Sequence, residues 1–336
     1  MPEGLTLSQI GEQDLIRRLA AYARPDQWND DAALLPEISP ERWVISSDTL
    51  VEGVHFSAGT TPASAAGWRA AAANLSDLAA MGCLRCEGIT VALSAPGDTE
   101  VHWIEQAYGG MQELLQRHGG HLLGGDCSGG EQLVLAITAV GPVCPDQQIQ
   151  RGAGKTGDWL ISTGAHGRSA LGLQLLLGGA TWALSLPSEQ QQTAIRCHQR
   201  PQPRFDAVAA LHASRPVGQP WRVGGTDSSD GLRRSLELLG GASGCRPELN
   251  RNALPDPSDP CWSLCLDGGE DFELVLALEP SWAEALLRQL PGSQHLGQLG
   301  EVAGQPCWAD SKTPCPRAEG LNTSAELEAL NQEAQR

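Results

Sequence analysis

The chain has 336 residues, a length that predicts one large domain or two of medium size. Hydrophobic residues make up 41% and charged residues 19%, as in ordinary globular proteins, and no run of 18 apolar residues is present that could span a membrane. The formal net charge of −17 argues against non-specific binding to nucleic acid, which requires a basic surface. Because the N-terminus lacks a basic region followed by an apolar segment, we expect no secretory signal and a cytoplasmic protein.

The hydrophobic pattern of the first half predicts strands that alternate with helices. The predicted strands are residues 43–47, 88–93 and 133–143. The predicted helices are residues 8–22, 63–81 and 101–118. A loop is expected over residues 48–55, directly after the first strand. This order of elements predicts an α/β or α+β domain over residues 1–145.

Residues 146–336 are predicted to form a second α/β domain, because residues 141–157 contain several glycines and show no hydrophobic period. Its predicted strands are residues 158–163, 272–278 and 298–302, with a short one near residue 308. Its predicted helices are residues 168–177, 189–199, 204–212, 232–239 and 280–290. Residues 240–260 are expected to be an irregular loop, and the charged tail from residue 324 is helix-prone.

Ten cysteines are distributed along the chain, and in a cytoplasmic protein we expect them to be reduced. Cys83 and Cys86 have the spacing of a redox or zinc motif. No second pair with that spacing completes a four-ligand site, since Cys261 and Cys265 are four residues apart. Packing thiols are therefore the favoured interpretation.

Six short segments combine carboxylates with small residues. They are residues 29–31 (NDD), 46–49 (SSDT), 74–77 (NLSD), 124–126 (GGD), 227–231 (DSSDG) and 268–271 (GGED). Any one of them is equally consistent with a helix cap or a turn. Asp77 is harder to explain in that way, because it lies in an apolar, alanine-rich helical stretch where an unpaired charge is costly.

The six segments together favour a shared cation site. Two carboxylates about 4 Å apart repel each other by roughly 4 kcal/mol at an effective dielectric constant near 20, so a group of them requires protonation or a cation. Oxygen ligands of this kind suit Mg²⁺, which commonly shares its coordination shell with nucleotide phosphates. Zinc is a poor match, because no cysteine and histidine set with tetrahedral spacing accompanies the acids.

Two common nucleotide-binding motifs are absent from the sequence. Gly154, Lys155 and Thr156 look like the end of a P-loop, but the first glycine of that motif is replaced by Ile149. No GxGxxG follows a predicted strand, so a dinucleotide-binding fold has no support.

Read in order, the segments resemble the thiamine-monophosphate kinase family of the aminoimidazole-ribonucleotide-synthetase-like superfamily. The matching stretches are residues 11–19 (GEQDLIRRL), 30–35 (DDAALL), 46–56 (SSDTLVEGVHF), 73–82 (ANLSDLAAMG), 123–126 (LGGD), 151–164 (RGAGKTGDWLISTG), 200–204 (RPQPR), 227–232 (DSSDGL) and 268–274 (GGEDFEL). The resemblance implies two α/β domains with an ATP site between them and a homodimer formed through the N-terminal sheet. The implied reaction converts ATP and thiamine monophosphate into ADP and thiamine diphosphate.

The resemblance also implies roles for individual residues. The implied Mg²⁺ ligands are Asp31, Ser46, Ser47, Asp48, Asp77, Asp126, Asp227 and Asp230. The implied nucleotide contacts are Gly125, Asp126, Arg151 and Ser229, and the implied substrate contacts are His55 and Glu270. Phosphoryl transfer needs alignment and charge neutralisation more than covalent help, so we expect neither a catalytic nucleophile nor a phosphoenzyme.

The sequence departs from the family pattern at two places. Asn29 stands where the family usually has glycine, and asparagine also tolerates left-handed backbone angles. Family members usually end with a segment that supplies an aromatic ring to the substrate, whereas residues 320–323 (GLNT) contain no aromatic residue. Trp308 is the nearest candidate to replace that ring.

The sequence leaves two alternatives open. One is another ATP-using enzyme of the superfamily with a different acceptor. Selenophosphate synthetase and the hydrogenase-maturation member are disfavoured because this sequence lacks their characteristic cysteines, and the purine-pathway members match the motifs less closely. The other alternative is a non-catalytic nucleotide- or metal-binding homologue, which is expected to have lost one or more of the aspartates.

Overall fold

The computed structural model describes residues 6–10, 12–22, 42–179 and 181–317. Contacts divide these residues into two units. The first contains the described residues up to Leu78 together with Arg85–Pro142, and the second contains Ala79–Leu84 and the described residues from Val143 onward. The domain division at residue 145 stays a prediction. Within the described ranges, no helix has both the length and the apolar character needed to cross a membrane.

The first unit is a mixed sheet with helices. Its helices are α1 (Leu7–Ile10), α2 (Glu12–Leu19), α3 (Ala63–Ala80) and α4 (Val101–His118), with a 3-10 turn at Ala20–Tyr22. Its strands are β1 (Arg42–Val51), β2 (Gly88–Ala95), β3 (His121–Gly129) and β4 (Val134–Val143). The strand order is β1-β4-β2-β3, with β2 antiparallel to β4 and parallel to β3.

Small residues allow α3 and α4 to pack with their backbones in contact. A Cβ atom added to Gly67 of α3 would lie 1.8 Å from the carbonyl oxygen of Ala107, and one added to Gly110 of α4 would lie 1.9 Å from that of Ser64. Neither position can therefore carry a side chain at this separation. The close approach fixes α3, and with it Asp77, against the rest of the unit.

Two parts of the first unit differ from the prediction. Strand β1 continues to Val51, so the predicted loop over residues 48–55 is wrong for its first residues. Pairing with the neighbouring strand β4 extends β1, and just beyond the ends of the two strands Glu52 N donates to the Leu133 carbonyl oxygen at 2.9 Å. Strand β3 was not predicted, because its glycines and serine are residues that strands disfavour.

The second unit contains a seven-stranded sheet of order β11-β8-β10-β6-β9-β7-β5. The strands are β5 (Ile149–Gln150), β6 (Trp159–Ser162), β7 (Val223–Asp227), β8 (Arg246–Leu249), β9 (Leu274–Leu278), β10 (Gln294–Gly300) and β11 (Cys307–Trp308). The helices are α5 (Arg168–Leu177), α6 (Ser188–Gln199), α7 (Phe205–Ser214), α8 (Leu232–Ser243), α9 (Cys261–Asp267) and α10 (Pro280–Gln289). Short 3-10 turns lie at Arg151–Ala153, Thr181–Ser185 and Arg251–Ala253.

The predicted irregular loop over residues 240–260 is wrong, because it contains β8 and the end of α8. The four residues of β8 include an arginine, a proline and a glutamate, and so lack any apolar period. Pairing with β10 and β11 on either side makes this segment a strand. All ten cysteines lie within the described residues and are free thiols. The predicted helix-prone tail lies outside the described residues.

Candidate functional site

In the first unit, the acidic motifs of β1 and α3 lie side by side. Ser46 Oγ on β1 donates a hydrogen bond to Asp77 Oδ2 on α3, and Asp48 N donates to Asn74 Oδ1 at 3.0 Å. Asn74 is fully buried, and its Nδ2 donates to the Ala70 carbonyl oxygen at 3.0 Å. Asn74 and Asp77 are three residues apart on the helix and therefore share the face that contacts β1.

These contacts explain how a carboxylate is tolerated in the apolar helix. Asp77 is half-buried between the fully buried Ser76 and Leu78, and it accepts the Ser46 hydroxyl. Ser46 and Asp48 are two residues apart on a strand, so they share one face, while Ser47 belongs to the other. The Ser47 hydroxyl contacts β4, where it lies 3.2 Å from Thr138 Oγ1.

Gly125 and Asp126 lie on β3, an edge strand of the same sheet. A Cβ atom added to Gly125 would lie 1.9 Å from the Val91 carbonyl oxygen, so the two strands approach as closely as glycine alone permits. Asp126 is exposed and pairs in register with Ala92. The strand order separates β1 from β3 by three spacings, or about 14 Å along the sheet. Asp126 is therefore not part of the Ser46–Asp77 contact.

No three His, Cys, Asp or Glu side chains of residues 6–10, 12–22, 42–179 and 181–317 form a group that could hold a metal ion. Asp31, one of the eight implied ligands, lies outside these ranges. The convergence of those ligands on shared Mg²⁺ ions stays a prediction.

His55 is exposed in the tight turn that follows β1. Its backbone N donates to the Val51 carbonyl oxygen at 2.9 Å, and its Nδ1 accepts from Val51 N at 3.1 Å. Since Nδ1 accepts a hydrogen bond, the proton of the neutral ring is on Nε2. The turn thus fixes both the orientation and the tautomer of a solvent-exposed imidazole.

In the second unit, the DSSDG and GGED segments are in direct contact. Glu270 N donates to the Ser229 carbonyl oxygen at 2.7 Å, and a Cβ atom added to Gly269 would lie 2.6 Å from that oxygen. Gly231 has a φ of +92°, which favours glycine. Asp227 is buried at the end of β7, whereas Ser229 and Asp230 are exposed before α8.

Arg151 lies beside the end of β7. Its Nε donates to Thr226 Oγ1 at 3.1 Å, and its carbonyl oxygen accepts from Ser243 Oγ at 2.9 Å. Since Thr226 directly precedes Asp227, the implied nucleotide contact and the implied metal ligand are neighbours. The side chain is exposed, so its guanidinium is oriented by Thr226 and accessible to a ligand.

Asp271 is a half-buried carboxylate of the GGED segment to which the resemblance assigns no role. Its Oδ2 accepts from Gly167 N at 2.6 Å and its Oδ1 accepts from Ser169 N at 2.9 Å, at the N-terminus of α5. Burial raises the pKa of Asp271 to about 7, against the opposing effect of these hydrogen bonds. Its neighbours Glu270 and Phe272 have positive φ values of 66° and 53°, which is uncommon for residues other than glycine. The signal in the sequence was a second acid directly after the predicted substrate contact.

Arg204, the last residue of the RPQPR motif, anchors the same region. Its guanidinium donates to the Thr163 carbonyl oxygen at 2.9 Å and pairs with the carboxylates of Glu273 and Asp206. Glu273 N in turn donates to Ser228 Oγ at 3.2 Å. Burial raises the pKa of Glu273, and Arg204 opposes that rise. The motif therefore has a structural role, which its match to the family pattern did not reveal.

Trp308 is a core residue. Its ring lies 5.6 Å from that of Trp262 and under the Arg251 guanidinium at 4.5 Å, and the residue is only 3% exposed. The suggestion that Trp308 replaces the C-terminal substrate aromatic is wrong, because its ring has no face available to a ligand.

Comparison with known proteins places the chain in a family. Residues 29–143 match the family model described as AIR synthase related protein, N-terminal domain. The thiamine-monophosphate kinase of Synechococcus elongatus is 46% identical over 304 residues, which cover 89% of this chain and 90% of that protein.

Solved structures agree with this comparison. The crystal structure of thiamine-monophosphate kinase from Stenotrophomonas maltophilia K279a matches with a TM-score of 0.75 and 30% identity, covering 91% of this chain and 98% of that chain. A structure described as AaThiL complexed with AMPPCP and TMP matches with a TM-score of 0.69 and 26% identity, covering 93% of this chain and 97% of that chain. The chain belongs to the thiamine-monophosphate kinase family.

Proposed function

We propose that this chain transfers the γ-phosphate of ATP to the phosphate of thiamine monophosphate, forming thiamine diphosphate and ADP in thiamine diphosphate biosynthesis. The observation that carries the proposal is the 46% identity to a thiamine-monophosphate kinase over 89% of this chain. The related structure complexed with AMPPCP and TMP supports ATP and thiamine monophosphate as the two substrates.

We infer that Mg²⁺ is the metal, because the donor set fits it. The donors are carboxylate and hydroxyl oxygens, and the contact between Ser46 Oγ and Asp77 Oδ2 places two of them together. The proposed ligands are Asp31, Ser46, Ser47, Asp48, Asp77, Asp126, Asp227 and Asp230. When bound, Mg²⁺ would neutralise phosphate charge and so allow two anionic molecules to approach each other.

The chain's own residues orient the nucleotide. Gly125 is exposed on β3, where its backbone is accessible to the nucleotide, and Ser229 presents a hydroxyl on an exposed loop. Arg151 is oriented at Nε by Thr226, so its other N–H groups can donate to phosphate oxygens with the strength of charge-assisted hydrogen bonds. His55 and Glu270 are the proposed contacts to thiamine monophosphate.

We propose direct transfer between the two substrates without a covalent phosphoenzyme. Phosphoryl transfer gains most from alignment and charge stabilisation, which bound substrates and fixed charges supply. Rapid-quench experiments with γ-labelled ATP should detect no protein-bound phosphate during turnover. Acid-stable label on the protein that decays into thiamine diphosphate would contradict direct transfer.

We also propose that the protein acts in the cytoplasm as a homodimer formed through the sheet of the first unit. Ile45 on the edge strand β1 supports this interface, because its side chain is 68% exposed on that strand. Light scattering coupled to gel filtration tests the assembly. We expect a dimer for the unmodified chain and a shift towards monomer for Ile45→Lys. A monomer for the unmodified chain at assay concentration would exclude the dimer.

The activity is tested by incubating the purified chain with ATP, Mg²⁺ and thiamine monophosphate and separating the thiamine phosphates by chromatography. We expect thiamine diphosphate and ADP in equal amounts, and neither product when ATP is omitted. Asp98→Ala, at an exposed carboxylate outside the motifs, should retain full activity as a control for the motif variants. ATP binding without thiamine diphosphate formation would instead favour a non-catalytic homologue.

A further inference from the structure

Glu270 is held from two directions in the second unit. Its backbone N donates to the Ser229 carbonyl oxygen at 2.7 Å, and its φ of +66° is in the left-handed region. Its side chain is 33% exposed, and Oε2 lies 3.7 Å from Nδ1 of His198. The carboxylate is therefore accessible on one side and faces a histidine on the other.

His198 is itself held rigidly by the packing of α5 against α6. The residue is 1% exposed, and its Nδ1 lies 3.2 Å from Ser169 Oγ on α5. A Cβ atom added to Gly172 of α5 would lie 2.2 Å from the carbonyl oxygen of Ala194 on α6, so the two helices are in backbone contact. The imidazole cannot shift unless the helices also move.

Asp271 connects this helix pair to the loop that carries Glu270. Its carboxylate accepts from the backbone N of Gly167 and of Ser169. Ser169 is thus contacted twice, at its backbone N by the residue after Glu270 and at its hydroxyl by the histidine that faces Glu270. These contacts form a closed ring of interactions around the Glu270 side chain.

We propose that His198 is a positioning residue that orients the Glu270 carboxylate towards the acceptor substrate, with Ser169 and Asp271 holding the imidazole and the loop in place. The inference rests on the proposed function, in which Glu270 contacts thiamine monophosphate. It assigns a substrate-orienting role to a buried histidine that lies behind the substrate contact. His198 acts through Glu270 and does not itself touch the substrate.

Two substitutions of similar shape distinguish an orienting role of His198 from a role in which its side chain only fills space. The amide of asparagine can occupy the position of imidazole Nδ1, whereas that of glutamine occupies the position of Nε2. We expect His198→Asn to keep the KM for thiamine monophosphate within about threefold of the unmodified enzyme. His198→Gln should raise it about tenfold, because it removes the polar atom that lies 3.7 Å from the Glu270 carboxylate. The KM for ATP should stay within about twofold in both variants, and equal values of the acceptor KM in the two variants would overturn the proposal.

A double-mutant cycle between His198→Ala and Glu270→Ala tests whether His198 acts through Glu270. We expect the rise of about tenfold in the KM for thiamine monophosphate to shrink to less than about twofold when Glu270 is already alanine. Equal rises in both backgrounds would overturn the proposal. If His198→Ala does not fold, Ser169→Ala takes its place in the cycle. We then expect a smaller rise in the KM for thiamine monophosphate, which again disappears when Glu270 is alanine. Absence of thiamine diphosphate with the unmodified enzyme would overturn the proposed function, and this inference with it.

Discussion

Replacing Arg204 by methionine should destabilise the second unit more than any exposed arginine substitution. Methionine retains most of the apolar stem but removes the charge that pairs with Glu273. The two side chains are 11% and 16% exposed, and Glu273 also accepts from Thr163 Oγ1 at 2.6 Å. The variant therefore leaves a nearly buried carboxylate without its cation.

The expected loss of unfolding free energy is about 3–5 kcal/mol, the usual cost of removing one partner of a buried ion pair. Asp206, the second partner of Arg204, adds little, because it is 62% exposed. Urea unfolding followed by tryptophan fluorescence gives the midpoint and slope needed for this comparison. The matched control is Arg288→Met, since Arg288 pairs with Glu284 at 3.1 Å and both are more than 60% exposed. That control should lose about 0.5 kcal/mol or less.

The destabilisation of Arg204→Met should also depend on pH. Burial already raises the pKa of Glu273, and removing the arginine leaves only the Thr163 hydrogen bond to oppose that rise. The folded state then binds more protons than the unfolded state above the unfolded pKa, so stability falls as pH rises. We expect Arg204→Met to lose more unfolding free energy, relative to the unmodified protein, at pH 8 than at pH 5. A loss below about 1 kcal/mol at pH 8, similar to that of Arg288→Met, would refute the buried-pair reasoning.

Three further predictions concern other parts of the candidate site. Gly125→Ala should abolish folding or lower the melting temperature strongly, since its Cβ would lie 1.9 Å from a backbone oxygen of Val91, whereas Gly129→Ala on the same strand meets nothing within 4 Å and should behave like the unmodified protein. Asp77→Ala should lower kcat at least about 100-fold while changing stability by about 1 kcal/mol, because it removes a proposed metal ligand from a half-buried position; unchanged turnover with intact Mg²⁺ dependence would count against the site. The stability of Asp271→Asn relative to the unmodified protein should rise between pH 5 and pH 8, because a folded pKa of about 7 makes the unmodified protein less stable as pH rises through that range, whereas the amide does not titrate. If the two proteins differ by the same unfolding free energy at every pH in this range, the raised pKa of Asp271 is wrong.

Several elements followed from local sequence alone. Helices α4 and α5 begin and end at the predicted residues, because apolar residues recur with helical spacing and a glycine follows each helix. Gly178 adopts the left-handed conformation and caps α5 with its backbone N, as a residue without a Cβ does most easily. The order of the acidic motifs along the chain was likewise enough to identify the family, because this order can be read without knowing which residues the motifs contact.

The tertiary structure decided which of these residues meet. Strand β3 is built from glycine, serine and cysteine as well as leucine, and only its pairing with β2 makes it a strand. The hydrogen bond from Ser46 to Asp77 joins residues 31 positions apart, and the contact between Glu270 and Ser229 joins two distant loops. Local sequence determines the conformations that a segment prefers and the chemistry of its side chains. Burial, pairing and the pKa of a group such as Asp271 depend on neighbours brought from elsewhere in the chain, which no local pattern specifies.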